Sequence, residues 1–386
     1  MSNGRGVVPP DKKKILYCGT DIPGVDPRGR GRMGEEDLVN NLDRLRKLPF
    51  DGIAVRIWDP KFPYPRAILG NNLFSSARQN VGAFTGAIAS LGELGKTRLR
   101  DNFLLLSTGY WFESGKHERF DWFDEARWNI VENNVRVYAQ IARRAGTIRG
   151  FLLDAEAYHK PPSWGGEQEW AYNIFSLSDM YNLSNGLPGN PNPWQAYLDR
   201  VRECGRRFFR VIEENLPGAP ILLYLAYGLA ANTADRTRPL LLAPFLDGVL
   251  EEIERTGSKS YLIDGTQAAY KFRGEDGYQT ARTQARTAFK NLSVVPHLYE
   301  RYVRIGFGKW LDAGSGAAGA WDAVDVSKNY YSPADWERSL RAALHHTDEY
   351  VWIWSEGVGR VFPMSLKRAP NVPEAYFAAT RRAKRP

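Results

Sequence analysis

Two carboxylates two positions apart, Asp154 and Glu156 in Gly150-Phe-Leu-Leu-Asp-Ala-Glu-Ala-Tyr158, close an apolar run and carry the densest chemical signal in the chain. On a strand, residues two apart point the same way, and repulsion between the pair raises the proton affinity of one of them. A carboxylic acid held protonated in this way can act as a general acid. Two like charges at one buried position are also costly to keep without a role. A second, distant carboxylate must then serve as nucleophile or base. Glu356, which ends Tyr350-Val-Trp-Ile-Trp-Ser-Glu356, is the first candidate and Asp264 the substitute. The plainer reading of Asp264 is a turn entry, because Ile-Asp-Gly opens many turns.

These residues need elements that bring them together. Short β-rich apolar runs alternate with long amphipathic ones, and they predict strands at Ile15–Thr20, Gly52–Trp58, Phe103–Tyr110, Gly150–Glu156, Pro220–Tyr227, Ser260–Thr266, Tyr302–Trp310 and Tyr350–Ser355. Between them run helical stripes: Leu38, Leu42 and Leu45; Trp128, Val131, Val135, Tyr138 and Ala142; Tyr197, Val201, Cys204, Phe208 and Val211; and Trp336, Leu340 and Leu344. Strand–helix alternation builds a parallel sheet with helices outside it. Eight strands close a barrel, and Asp21–Met33, after the first strand, lacks the G-x-G-x-x-G spacing of a nucleotide fold. The expectation is an α/β fold, a single (β/α)8 TIM barrel over 14–386 with elaborated βα loops, behind a tail at 1–13. An open doubly wound sheet is the competitor.

In such a barrel the reactive groups come from the C-terminal strand ends. Those ends deliver Asp21; Arg56 and Trp58; Tyr110 and Trp111; Asp154, Glu156, Tyr158 and His159; Tyr227; Asp264 and Gln267; Lys309 and Trp310; and Trp354 and Glu356. Aromatic faces stack on the C–H faces of sugar rings, and paired carboxyl groups can break a glycosidic bond. Glu156, Asp154, Glu356 and Asp264 are therefore the candidate catalytic groups, and the others candidate sugar contacts. Any single strand-end Asp has a structural alternative as a helix cap, and Trp352 and Trp354 have one as core.

Composition narrows the partners. The 386 residues are 43% hydrophobic and 25% charged, ordinary for a globular protein, and no apolar run is long enough to span a bilayer. The net charge of +8 suits a polyanion, but the basic residues are scattered along helices without a nucleic-acid motif. The expected partner is a carbohydrate, an acidic or sulfated one fitting the charge, with Arg56, Lys309 and the Arg28–Arg32 loop as contacts; no nucleic acid and no membrane is expected. Nothing sets an oligomeric state. Residues 1–10 lack the apolar core of a secretory signal, so no export address is read, although removal of a signal would leave the same start. Cys18 and Cys204 read as small buried hydrophobes rather than as a disulfide. Five histidines without a clustered pair after strand one give no metal site, and no cofactor is called for.

The segments Gly150–Tyr158 and Tyr350–Glu356 resemble the fourth and eighth strands of TIM-barrel glycoside hydrolases. In chitinase-like barrels the fourth strand ends in a D-x-E whose Glu is the acid and whose Asp orients substrate; Asp154 and Glu156 match those positions. Leu152 stands where that pattern has a further aspartate, which argues against an N-acetyl-assisted mechanism. Strand seven ends Gly306-Phe-Gly-Lys-Trp310 without the glutamate other such barrels place there, and barrels with aspartates on strands four and six would map onto Asp154 and Asp264. The resemblance implies hydrolysis of O-glycosyl bonds. A sugar-binding barrel without catalysis, and a metal-dependent barrel hydrolase, are the alternatives.

Overall fold

The computed structural model describes residues 9, 12–18, 38–39, 42–57, 73–110, 120–155, 172–175, 192–228, 241–313, 321–355 and 372–385. Within them lie β1 (Lys14–Tyr17), β2 (Gly52–Val55), β3 (Asn102–Ser107), β4 (Ile148–Asp154), β5 (Ile221–Leu223), β6 (Leu262–Asp264), β7 in two halves (Val303–Ile305 and Phe307–Trp310) and β8 (Tyr350–Trp354). Every neighbouring pair in this sheet is parallel. The hydrogen-bonded order runs from Phe307–Trp310 through β8, β1, β2, β3, β4, β5 and β6 to Val303–Ile305. Its two ends are separated in the chain by Gly306 alone, so the sheet closes on itself through β7. The single strand expected at Tyr302–Trp310 is thus divided, one half pairing with β6 and the other with β8.

A helix follows each strand: α1 (Leu42–Leu45), α2 (Thr85–Gly92), α3 (Glu125–Ala145), α4 (Trp194–Asn215), α5 (Leu242–Thr256), α6 (Glu275–Gln284), α7 (Pro333–His346) and α8 (Glu374–Ala383). The hydrophobic stripes fall on α1, α3, α4 and α7, except that Leu38 precedes α1. The ends are coded locally: Asp124 accepts from the Arg127 amide to cap α3, Gly146 at φ 70° and Gly257 at φ 62° stop α3 and α5, and Ser332 caps α7 ahead of Pro333. The fold is therefore an α/β barrel, as expected.

Alternation along the strands divides the core in two. Leu16, Cys18, Ala54, Phe103, Leu105, Leu152, Leu222, Ile263, Tyr350 and Trp352 belong to the cluster inside the barrel. Their strand neighbours, among them Ile15, Ile53, Leu104, Leu153, Leu223, Leu262 and Val351, pack outward against the helices. Each large buried side chain in these layers contributes roughly 1.5–3 kcal/mol of transfer free energy. Cys18 and Cys204 are both buried, in different layers, and form no disulfide with each other.

The N-terminal end of the barrel is plugged with polar pairs. Tyr350 Oη donates to Asp101 at 2.9 Å, Tyr261 Oη donates to Glu349 at 2.8 Å, and Arg304 pairs with Glu349. Asp51 accepts from the Ile15 amide and from Lys384 Nζ, both at 2.7 Å, which ties α8 to the start of β1. No helix among the described residues is long and apolar enough to cross a membrane.

Candidate active site

On β4, Leu152 points into the barrel and Leu153 outward, so Asp154 returns to the inner face at the strand's last position. Its side chain is 1% exposed, it is in register with Ser107 of β3, and its carbonyl accepts from the Thr108 amide at 2.9 Å. One step beyond the paired Leu153 and Leu223 stands Tyr224, which shares the inner cluster. Asp154 therefore sits beside Tyr224 on the same face of neighbouring strands. Arg56, two residues past the inward Ala54, is buried on that face from the β2 side.

Aromatic rings fill the opposite side. Tyr224 and Trp352 lie with centroids 4.3 Å apart, and Trp354 meets Tyr224 edge-on at 6.1 Å. Tyr270, on the short 3-10 helix after β6, packs on Trp352 at 5.1 Å and on Trp310 at 5.8 Å. The Trp352 indole N–H donates to the Gly265 carbonyl at 2.7 Å. Two glycines make room for that indole: a Cβ on Gly308 would lie 2.6 Å from its ring, and one on Gly265 2.6 Å from its Nε1. Trp310 donates from its indole to buried Asp312 at 2.9 Å, which fixes its orientation at the lip. Trp310, Trp354, Tyr270 and Gln267 are half-buried and thus available at the mouth. The floor is an apolar, π-rich surface with a carboxylate and a guanidinium on its other side, suited to the C–H face and hydroxyl edge of a sugar ring.

Three expected site residues face elsewhere. Asp264 is in register with Leu223 and Ile305, both in the helix-facing layer, so its carboxyl points away from the barrel axis. There Oδ1 accepts from the Thr266 amide at 3.2 Å and the group serves the turn, which removes it as the partner of a carboxylate on β4. Burial pushes its pKa up to about 6. Lys309, in register with outward Ile353, is fully buried between β7 and the helices. Its ammonium donates to the Phe272 carbonyl (2.8 Å), Tyr331 Oη (2.7 Å) and Ser339 Oγ (2.8 Å), and is ringed by Tyr278, Tyr331 and Trp336. Tyr227 is buried as well and donates to Asp247 of α5 at 2.7 Å. Neither Lys309 nor Tyr227 reaches a ligand at the mouth.

Glu156, Glu356, Asp21, Trp58, Trp111, Tyr158 and His159 lie outside the described residues, as do most of the expected loops at Asn185–Pro193 and Ala313–Ala320 and the basic stretch Arg28–Arg32. Tyr110 lies in a two-residue strand, Gly109–Tyr110, paired antiparallel with Tyr172–Asn173 after the end of β3. Sequence reading missed Tyr270, whose only signal was its place six residues past the end of β6. Among the described residues no three His, Cys, Asp or Glu side chains stand together as a metal ion would require.

No family model and no curated protein matches the chain. Solved structures do. The chain is similar to the exo-β-1,4-mannosidase of Opitutaceae bacterium strain TAV5, with a TM-score of 0.50 and 14% identity over 97% of this chain and 60% of that one. It is also similar to a glycoside hydrolase family 5 enzyme from Prevotella bryantii B14 (TM-score 0.47, 10% identity, 96% of each chain). A psychrophilic glycoside hydrolase family 10 endo-β-1,4-xylanase matches with a TM-score of 0.42 at 11% identity, over 96% of this chain and 97% of that one. At 14% identity the first of these likenesses supports the barrel fold.

Proposed function

We propose that this barrel is a glycoside hydrolase that opens an O-glycosidic bond of a poly- or oligosaccharide at its C-terminal mouth. The observation that carries the reading is the buried Asp154 carboxyl on the inner face, next to Tyr224 and across from the floor of Trp352, Trp354 and Tyr270. Sugar rings stack on such a floor, and a carboxylate pair beside it can cleave them. Glu156, two residues beyond Asp154, is the general acid/base; Asp154 tunes it or serves as nucleophile. With Asp264 turned outward, Glu356 beyond β8 is the remaining candidate for the opposing carboxylate. The acid protonates the leaving glycosidic oxygen as the C1–O bond breaks. The opposing carboxylate then attacks C1 or activates the water that does. A carboxyl separation of about 5 Å gives retention and one of about 6.5–9.5 Å gives inversion. The charge of +8 and inward Arg56 favour a glycan bearing acidic groups.

The test is release of reducing ends from a broad polysaccharide panel by the wild-type chain and by Glu156→Gln, Asp154→Asn and Glu356→Gln. Glu156→Gln is expected to lose at least about 10³-fold in kcat while remaining folded. Unchanged turnover in that variant refutes the assignment. Glycan binding by the wild type with no cleavage of any panel member shows a binding barrel instead.

A further inference from the structure

Just outside the aromatic floor, the loops after β6 and β7 hold two cations against ring faces. Lys271 Nζ lies 5.5 Å from the centre of the Trp310 ring and 6.0 Å from that of Tyr330, and the Arg273 guanidinium lies 4.5 Å from the Tyr330 ring. Both cations are exposed, while Trp310 and Tyr330 are half-buried. The two loops are clasped to each other: Tyr330 Oη donates to the Lys271 carbonyl at 2.9 Å, and Arg273 donates to the Tyr330 carbonyl. The platform is therefore preformed, and its inner end is Trp310, the lip of the mouth.

Neither cation has a carboxylate at ion-pair distance among the described residues, although fifteen other arginines and five other lysines there do. The acids in the same loops are engaged elsewhere. Asp312 holds the Trp310 indole, Asp322 and Asp325 pair with Lys328, and Asp335 is held by Ser332 and Arg338 and feels the Arg273 charge only at longer range. A cation resting on a ring keeps its outward field for a ligand, because a ring face satisfies it only in part. Charge-assisted contacts to carboxylate or sulfate oxygens are the strong ones available to it.

We infer that Lys271, Arg273 and Tyr330 form an outer subsite for an anionic substituent, a carboxylate or sulfate, on a sugar unit next to the one resting at Trp310. This rests on the glycoside hydrolase reading and adds where the anionic group of the substrate is held and the side of the mouth from which its chain extends. The subsite differs from the contacts the sequence suggested: Lys309 is buried behind the strand, whereas Lys271 is exposed at the rim.

Calorimetric titration with oligogalacturonates, sulfated carrageenan oligosaccharides and neutral cello-oligosaccharides tests it in the wild type, Lys271→Met and Lys271→Arg. Among the described residues the Lys271 ammonium makes no hydrogen bond, so methionine preserves the packing on Trp310 and removes only the charge. The wild type is expected to prefer one of the anionic probes. Lys271→Met is expected to weaken that probe about tenfold and lower its salt dependence, with Lys271→Arg retaining both. Whichever anionic probe responds distinguishes carboxylate from sulfate. Equal binding by wild type and Lys271→Met, or a wild type that binds neither anionic probe, overturns the subsite. If such a result accompanies cleavage of neutral glycans, the hydrolase reading stands without it. Absence of cleavage across the whole panel is the separate failure of that reading.

Discussion

Asp264 holds Thr266 in the left-handed region of backbone space: its Oδ1 accepts from the Thr266 amide at 3.2 Å while Thr266 sits at φ 41°. Thr266 is the one described residue other than glycine with a positive φ, and a β-branched side chain is disfavoured there. The turn matters to the mouth, because it carries the Gly265 carbonyl that receives the Trp352 indole and leads into the helix that places Tyr270. The Ala226 backbone N–H also stabilises the Asp264 carboxylate, while burial opposes its charge.

Removing that acceptor has a direct cost. Asp264→Ala leaves the Thr266 N–H unsatisfied in a buried turn and is expected to destabilise the fold by ~1–3 kcal/mol. Urea unfolding followed by tryptophan fluorescence measures the loss, and an unchanged midpoint rules out the clasp.

The same carboxyl predicts a pH dependence. Burial raises its folded pKa from 3.8 to about 6, so the native state holds the proton more tightly than the unfolded chain. Its contribution is full below pH 3.8 and is lost as pH rises through about 6. Asp264→Asn keeps an oxygen for Thr266 and cannot ionise. Its stability relative to wild type is expected to improve between pH 4 and pH 7.5; a difference that stays flat across that range contradicts the shift.

Lys309 titrates in the opposite sense. Burial, and then the charge of Arg273, push its folded pKa well below 10.5, so the unfolded chain binds the proton more tightly. Stability from this group is therefore gained as pH climbs from the folded value to 10.5 and lost as pH falls. Thermal unfolding of wild type against Lys309→Met from pH 7 to pH 10 is expected to show a gap that moves in the wild type's favour. Lys309→Ala, which also strips three acceptors of their donor and opens a cavity, is expected to cost ~2–5 kcal/mol at pH 7.

The fit of the aromatic floor is testable at Gly308. A Cβ there would lie 2.6 Å from the Trp352 ring and 3.0 Å from Tyr270, so Gly308→Ala must displace one of them. Overpacking of this kind costs ~1–3 kcal/mol. Near-ultraviolet circular dichroism is expected to show altered tryptophan bands; an unperturbed spectrum with wild-type stability excludes the tight fit.

Trp354 should reveal itself in kinetics. It is half-buried at the mouth, edge-on to Tyr224, and carries no reacting group. On a cleaved oligosaccharide, Trp354→Ala is expected to raise KM about tenfold with a smaller change in kcat, the pattern of lost uniform binding. A pure kcat effect places the ring elsewhere in the reaction.

The barrel was legible because its signals are local. Eight short β-rich runs, four helical stripes and their capping residues each act over a few positions, and the Asp154 and Glu156 pair marks a strand end without reference to the rest of the chain. The division of β7 was not legible. It arises because one stretch of chain pairs with β6 on one side and β8 on the other, a consequence of closure rather than of any motif.

Which way each strand-end residue points was decided only by the tertiary structure. Parallel barrel strands are buried on both faces, so their sequences lack the polar–apolar alternation that would mark an inner side. Asp154, Asp264 and Lys309 all follow apolar or small residues near strand ends, and nothing in their neighbours tells them apart. Register does: Asp154 continues the inward Leu152, whereas Asp264 and Lys309 lie level with outward Ile305 and Ile353. By itself the sequence determined the eight strands and the chemical groups at their ends. Closure of the sheet decided which of those groups share the mouth, because a shift of one residue turns a side chain from the axis to the helices.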